Sequence, residues 1–370
     1  MKKNFNKILI ITIILLSIVL IFSSNLLNQN LTPYEFEKAI VEEINEEKIE
    51  EDPVIKDMHL GYQQIKIKLI SGKYSGEIFN IRNPISRLYN VHTKAGDKII
   101  VSIHEENGQI ESISLYNYQK EQTVYVLVIL LFLLLILLSG WKGLNAVISL
   151  IFTGIMIVFF MIPMLFKGYE PIPITIMTVA ITTVVSLLLI DGPNKKTLSA
   201  ILGTVIGVII AGIISYIASN IAHISGLTSN EAEGLIYIAE HRNVKIKGLT
   251  FSAILIAALG AIMDVAMSIS SSIFEINKTN PKISSNELLK SGMNIGKDIM
   301  GTMSNTLILA FAGSSLNMIL FIIAYGMPYR QIVNLDFLVA EIIQGISGSI
   351  GIVLTVPITA VIASRMAKEK

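Results

Sequence analysis

Residues 123–139 read TVYVLVILLFLLLILLS, seventeen consecutive positions without a charge. A run of this kind has no polar face to turn toward water, and a bilayer core about 30 Å thick is crossed by roughly 20 such residues. Seven more stretches meet the same description: Ile8–Ser24, Leu144–Phe166, Ile172–Ile190, Leu198–Ser219, Leu249–Ser270, Gly301–Tyr325 and Phe337–Ala363. They explain why the chain is 52% hydrophobic and only 15% charged. The expected fold is therefore an all-α polytopic membrane protein of about eight transmembrane helices. The first stretch follows Lys2, Lys3 and Lys7. No clear small-x-small cleavage site follows it, so an uncleaved membrane anchor (1–24) fits better than a signal peptide.

Lysine and arginine fix the expected orientation. With the N-terminus in the cytoplasm, the segments on that side carry 13 basic residues and the short outer loops carry 5. Both termini then lie in the cytoplasm, as an even number of crossings requires, and the localisation is the cell (inner or plasma) membrane. No cysteine is present. That excludes a disulfide framework, a lipoprotein attachment site and a thiolate metal site.

This topology places the polar stretch 25–122 outside the cytoplasm. It begins with an acidic run, EFEKAIVEEINEEKIEED, which reads as a short helix or a solvated linker. From about residue 57 the pattern changes to period two. In QQIKIKLISGKYSGEIFNI, Ile65, Ile67 and Leu69 alternate with Gln64, Lys66 and Lys68, the signature of half-buried strands. SGKYSGE, KAGDK and ENGQ supply turns. Four or five short strands predict a small β-rich extracytoplasmic domain, a barrel of OB or SH3-like type. His59, His92 and His104 show no metal-ligand spacing, and no basic-aromatic stripe of the nucleic-acid-binding kind is visible. Residues 123–370 form the remaining seven-helix transmembrane domain.

Within that domain a single carboxylate, Asp264, interrupts ALGAIMDVAMSISSS. An ionised group there costs several kcal/mol unless it is solvated or paired. Ala253, Ala257 and Gly260 share its helical face, with Ser268 and Ser271 below it. The next span carries Asn294, Asp298, Thr302 and Asn305 as one polar stripe. Because that helix runs the opposite way, Thr302 and Asn305 reach the depth of Asp264. Two roles compete: a register-fixing hydrogen bond from Asp264 to Asn305 or Thr302, and a proton or cation site made by Asp264 and Asp298 along a permeation path. Glu341, one turn inside the last span, lies close enough to the surface to snorkel.

Enzymatic motifs are sparse. GISG (Gly345–Gly348) matches the GxSG of rhomboid-type serine proteases, yet no transmembrane histidine is available as its base. There is no HExxH, no GxGD setting around Asp264 or Asp298, and no Walker A pattern. No catalytic residues, metal ligands or cofactors are assigned. Two loops carry capping boxes, Thr228 to Glu231 and Ser284 to Glu287. Gly203 and Gly207 form a GxxxG extended by Ala211, the kind of face that lets helices approach closely in lipid. Gly292 and Gly296 mark points where the seventh span can bend.

The strings ALGAIMDVAMSISSS, SGMNIGKDIMGTMSNTLILAFAGSSL and GSIGIVLTVPITAVIAS resemble the YibE/F-like family of bacterial multi-pass membrane proteins. The resemblance runs from about Thr123 to the C-terminus. It supports the architecture and carries no substrate. The functional expectation, drawn from the intramembrane carboxylates, is a non-enzymatic secondary permease or channel-like component for an ion or small solute. The alternative is a non-transporting envelope protein whose outer domain recruits a partner or senses a ligand. The expected partners are the lipid bilayer and either a second copy or another membrane subunit, with no nucleic acid.

Overall fold

The computed structural model describes residues 2–24, 34–106, 108–224, 234, 244–246 and 248–369. The Thr228 capping box lies outside these residues. The chain divides into two compact units, Asn28–Leu134 and Met1–Leu27 with Leu135–Lys370.

The first unit is a β half-barrel. Its strands are β1 (Tyr34–Glu51), β2 (His59–Leu69), β3 (Ile78–Ile85), β4 (Lys98–Glu106) and β5 (Gln109–Tyr118), in the order β3-β2-β1-β4-β5 with all pairs antiparallel. Three hairpin-connected strands are followed by a fourth that returns beside the first, a Greek key. Five strands in this partly open arrangement are the OB type of small barrel. The alternation in β2 does what its spacing predicts: Ile65, Ile67 and Leu69 are fully buried, against Ala39 and Val41 of β1 and Ile99, Val101 and Ile103 of β4.

The acidic run is neither helix nor linker; it is the central strand, β1. Its first half pairs with β4 (Tyr34↔His104 to Ile40↔Lys98), and its second half continues along β2 to Glu51↔His59. A domain lacking it has no sheet centre. We therefore expect residues 34–118 alone to be soluble and β-rich by far-ultraviolet circular dichroism, and residues 57–118 to remain unfolded. A folded 57–118 fragment would contradict the central place of β1.

One buried polar network ties the long β3–β4 connection to the sheet. Gln63 Oε1 accepts from Asn83 Nδ2 (3.1 Å) and from the Thr93 amide and hydroxyl (both 3.0 Å), while Gln63 Nε2 donates to the Thr93 carbonyl at 2.9 Å. Every member is satisfied, so the network specifies the loop path at little cost. At the end of β1, Asp52 accepts the backbone N–H groups of Val54 (2.7 Å) and Ile55 (3.1 Å) and pairs with Arg87 Nε and Nη2 at 2.5 and 3.0 Å. The Arg87 guanidinium holds this carboxyl well below the usual range, down to about 2. A carboxyl depressed on folding stabilises the native state above its unfolded value and loses that contribution as pH falls through the folded value. In urea titrations of 34–118, stability is expected to fall between about pH 4 and pH 2. Asp52→Asn should remove that part of the pH dependence; an unchanged profile would show that the pair does not contribute.

The second unit is helical. Helix α1 (Lys2–Ser23) is followed, after the β unit, by α2 (Glu121–Ile155), a π-helical turn at Met156–Met161 and α3 (Ile162–Phe166). Then come α4 (Pro171–Asp191), α5 (Lys195–Ile221), α6 (Leu249–Thr279), α7 (Ser285–Ser314), α8 (Leu316–Ala324), α9 (Tyr329–Ile332) and α10 (Asp336–Met366). Among the described residues, five helical stretches are long and apolar enough to cross a membrane, or six if α7 and α8, bent by 59°, count as one. The expected spans 123–139 and 144–166 fall within one 46-residue stretch, Glu121–Phe166. That stretch is broken at Gly140, whose φ of 57° and ψ of −131° are not helical. The turn is tight: a Cβ on Gly143 would stand 1.9 Å from the Leu135 carbonyl oxygen.

Small residues make the closest helix contact. A Cβ on Gly203 or Gly207 of α5 would lie 2.0 or 1.9 Å from the hydroxyls of Thr359 and Thr355 on α10, and one on Gly351 would lie 2.6 Å from Ala211 Cβ. The GxxxG face thus meets α10 in antiparallel steps of four residues, with backbones too close for any larger side chain. Helix α6 packs its opposite side into this core through Ile262, Val265, Ile269 and Ile273. The Ser284–Glu287 capping box forms as its spacing predicts, the Ser284 hydroxyl accepting the Glu287 N–H and the Glu287 carboxylate accepting the Ser284 N–H. Gly292 and Gly296, expected as bending points, instead sit inside one continuous helix and make room for Ile273 and Val356.

Candidate functional site

Helices α6 and α7 run antiparallel, with Ile273 against Gly292 and Ile269 against Gly296. Five residues further along, this register sets Asp264 level with Gly301, within about one turn of Asp298, Thr302 and Asn305. The two polar stripes share a level along the helix pair, but they do not face each other. Ala253, Ala257, Gly260, Asp264 and Ser268 line an exposed face of α6, opposite its buried Ile262 and Val265. Asn294, Asp298, Thr302 and Asn305 likewise line an exposed face of α7, opposite buried Leu288, Gly292 and Gly296. The Thr302 hydroxyl bonds back to its own helix, at the Ile299 carbonyl (3.0 Å). The expected Asp264–Asn305 or Asp264–Thr302 bond is absent among the described residues, because each helix buries the side opposite its polar stripe and leaves the stripe on its exposed face.

Glu341 occupies a different setting. It lies one to two turns into α10, level with the bend between α7 and α8, and lines a cleft of about 390 Å³ with Phe311, Ser315, Ile319, Leu338 and Ile346. Its Oε2 is shut away from solvent and has no hydrogen-bond partner among the described residues. Ser315, at the bend itself, is 5% exposed, and its hydroxyl is also without a partner among the described residues. Ser315 is the polar neighbour of Glu341, but the two stop short of a completed hydrogen bond. Sequence reasoning missed Ser315. The available signal was GSS (Gly313–Ser315), three small residues with poor helix propensity in mid-span.

A second cavity of about 410 Å³ lies among α2, α4 and α6. It is rich in hydroxyls, yet they are satisfied: Ser149 donates to Ser186 at 2.6 Å, and Thr153, Thr178, Thr182 and Thr183 donate to carbonyls of their own helices. Such bonding lets threonine sit in an apolar helix without asking for a ligand. The Glu341 cleft combines an enclosed carboxyl oxygen with an enclosed hydroxyl, both without a partner among the described residues.

In the β unit, the rings of His59 and His92 lie 5.3 Å apart, and His92 Nε2 is 3.2 Å from Glu47. No group of three His, Cys, Asp or Glu side chains placed to hold a metal occurs among the described residues.

The comparisons with known proteins address both units. No curated protein and no solved structure matches the chain. A family model described as YibE/F-like protein matches residues 127–369, and one described as the YibE/F family N-terminal domain matches residues 33–118. These matches take in the β half-barrel and the helical unit that carries Asp264, Asp298 and Glu341, and the chain belongs to the YibE/F-like family of membrane proteins.

Proposed function

We propose that this protein is a secondary permease or channel-like component for an ion or small solute in the cell membrane. The observation that carries the reading is a pair of carboxyl groups, Asp264 and Glu341, on apolar membrane helices and without a basic partner among the described residues. Retaining such groups in a bilayer is costly, and their usual role is in substrate or ion pathways. Eight crossings follow if α1 spans, the α7–α8 pair is one span, and Glu121–Phe166 is divided at Gly140 into two. The excess of basic residues then puts both termini in the cytoplasm and the β half-barrel outside. The exposed polar face of α6 and α7 would be covered by water or by a second copy rather than by lipid.

Asp264→Asn tests the reading. It keeps side-chain size and removes the charge. The variant is expected to melt in detergent like the parent chain, while growth complementation and ion flux in liposomes fail. A stable and fully active Asp264→Asn protein would remove Asp264 from the pathway.

One observation favours the alternative, an envelope protein whose outer domain recruits a partner. Val54, Ile55, Leu88 and Tyr89 are exposed on two loops that the Asp52–Arg87 pair clamps together. Ordered apolar loop tips of this kind suit protein contact. Leu88→Ser with Tyr89→Ser should abolish complementation under that reading and leave it intact under the first.

A further inference from the structure

The cleft beside the α7–α8 bend has a chemistry of its own. A bare metal cation collects about six or more oxygen ligands. Here the side chains offer one carboxyl group and one hydroxyl, and the remaining lining is carbon: Phe311, Ile319, Leu338 and Ile346 among others. The volume, about 390 Å³, falls within the range of small-molecule pockets, about 300–1,000 Å³. Such pockets are mostly apolar, with a few polar groups that fix orientation. A neutral apolar occupant would leave Glu341 unpaired in low dielectric. A protonated amine would satisfy it, donate a second hydrogen bond to the Ser315 hydroxyl oxygen, and lay its apolar body along Phe311, whose ring face also attracts cations.

We propose that this cleft binds a small organic cation, an ammonium group on an apolar body, with Glu341 as counter-ion and Ser315 as the second polar contact. The proposal deepens the permease reading by naming a substrate class, but binding itself does not require transport. The bend at Ser315 supplies the geometry. Ending α7 at Ser314 and turning the chain by 59° opens space next to α10 that a straight helix would fill.

The test uses the full chain purified in a non-ionic detergent, with benzylamine as probe, benzyl alcohol as its uncharged counterpart, and sodium chloride as the bare-ion control. Thermal shift and calorimetry should show saturable binding of benzylammonium, with benzyl alcohol weaker by about tenfold or more. Sodium chloride alone should produce no saturable shift. Glu341→Gln should weaken the amine by a similar factor and erase the preference for amine over alcohol. Gly345→Leu guards against a folding defect in the first variant. A Cβ at Gly345 meets only Phe311, at 3.6 Å, so the leucine is tolerated by the backbone and extends into the cleft. It should block both probes. Absence of saturable amine binding, amine binding indifferent to Glu341→Gln and Gly345→Leu, or stabilisation by sodium alone would each overturn the proposal. Flux assays keep the two readings apart. Amine binding without transport removes the permease and leaves the site, and ion flux that depends on Asp264, with amine binding indifferent to Glu341→Gln, removes the site and leaves the permease.

Discussion

Gly207→Val is expected to abolish accumulation of the folded helical unit. At Gly207 a Cβ would stand 1.9 Å from the Thr355 hydroxyl and 3.1 Å from Ile262 Cγ2. The two contacts come from different helices, α10 and α6, so moving away from one drives the side chain toward the other. Separating α5 from α10 would also break the contacts at Gly203–Thr359 and Ala211–Gly351, since all lie in one antiparallel register. Overpacking a dense core costs about 1–3 kcal/mol where relief is available, and more is expected here. Gly154→Val is the control: it sits in α2 with nothing within 4 Å of its Cβ position. Size-exclusion profiles and melting curves in detergent should show the control near the parent chain and Gly207→Val aggregated or absent. A Gly207→Val protein melting with the parent would mean that α5 and α10 are not in close contact.

The second large effect is expected in the β unit. Gly61 has φ of 141°, where a side chain is rarely tolerated, and its Cβ would lie 2.0 Å from the Lys48 carbonyl oxygen on β1. Gly61→Val therefore adds backbone strain to a steric clash inside the β1–β2 ladder, next to the Ile49↔Gly61 pair. A loss of about 3 kcal/mol or more is expected, among the large values for single substitutions. Gly76→Ala separates the two causes, because Gly76 has φ of 96° but open space around its Cβ position. Urea unfolding of residues 34–118 should show a loss of about 1–2 kcal/mol for Gly76→Ala and little folded protein for Gly61→Val. Equal losses would mean that the clash is relieved at no cost.

The parts of this molecule legible in the sequence are those where one local rule acts alone. Strand β2 alternates without interruption, and its three buried apolar residues, Ile65, Ile67 and Leu69, are visible as such. The Ser284–Glu287 box needs only two residue types three positions apart. The GxxxG in α5 marks close packing whatever its partner, although the partner threonines on α10 carry no signal of their own. Strand β1 was misread because two bulges, between Val41 and Glu43 and between Ile44 and Glu46, shift its phase. Its apolar residues then fall at 34, 36, 39, 40, 41, 44 and 49, which no single period-two template matches. Only Ala39 and Val41 among its 18 residues are buried, so the strand looks like surface.

The candidate site was legible in its residue types and not in its geometry. Depth follows from counting residues along two antiparallel helices, which is why Asp264 and Thr302 fall near one level. The direction a polar stripe faces depends on which side each helix buries, and that is decided by helices elsewhere in the chain. The Glu341 cleft arises from the bend at Ser315, a tertiary feature that brings residues 315 and 341 together across the α8–α9 segment.

The long, shared β1 has a consequence for the order of events during synthesis. It leaves the ribosome before either of its partners. The β2 half can pair after about one hairpin, but Tyr34 must wait for His104, 70 residues later. Throughout that interval β1 is an unpaired edge, the form of chain most prone to join strands of other molecules. Ten of its 18 residues are Glu or Lys, and charge on an edge strand opposes such pairing. The acidity that disguises β1 as a linker thus acts as its own escort, keeping the strand apart from others until β4 arrives.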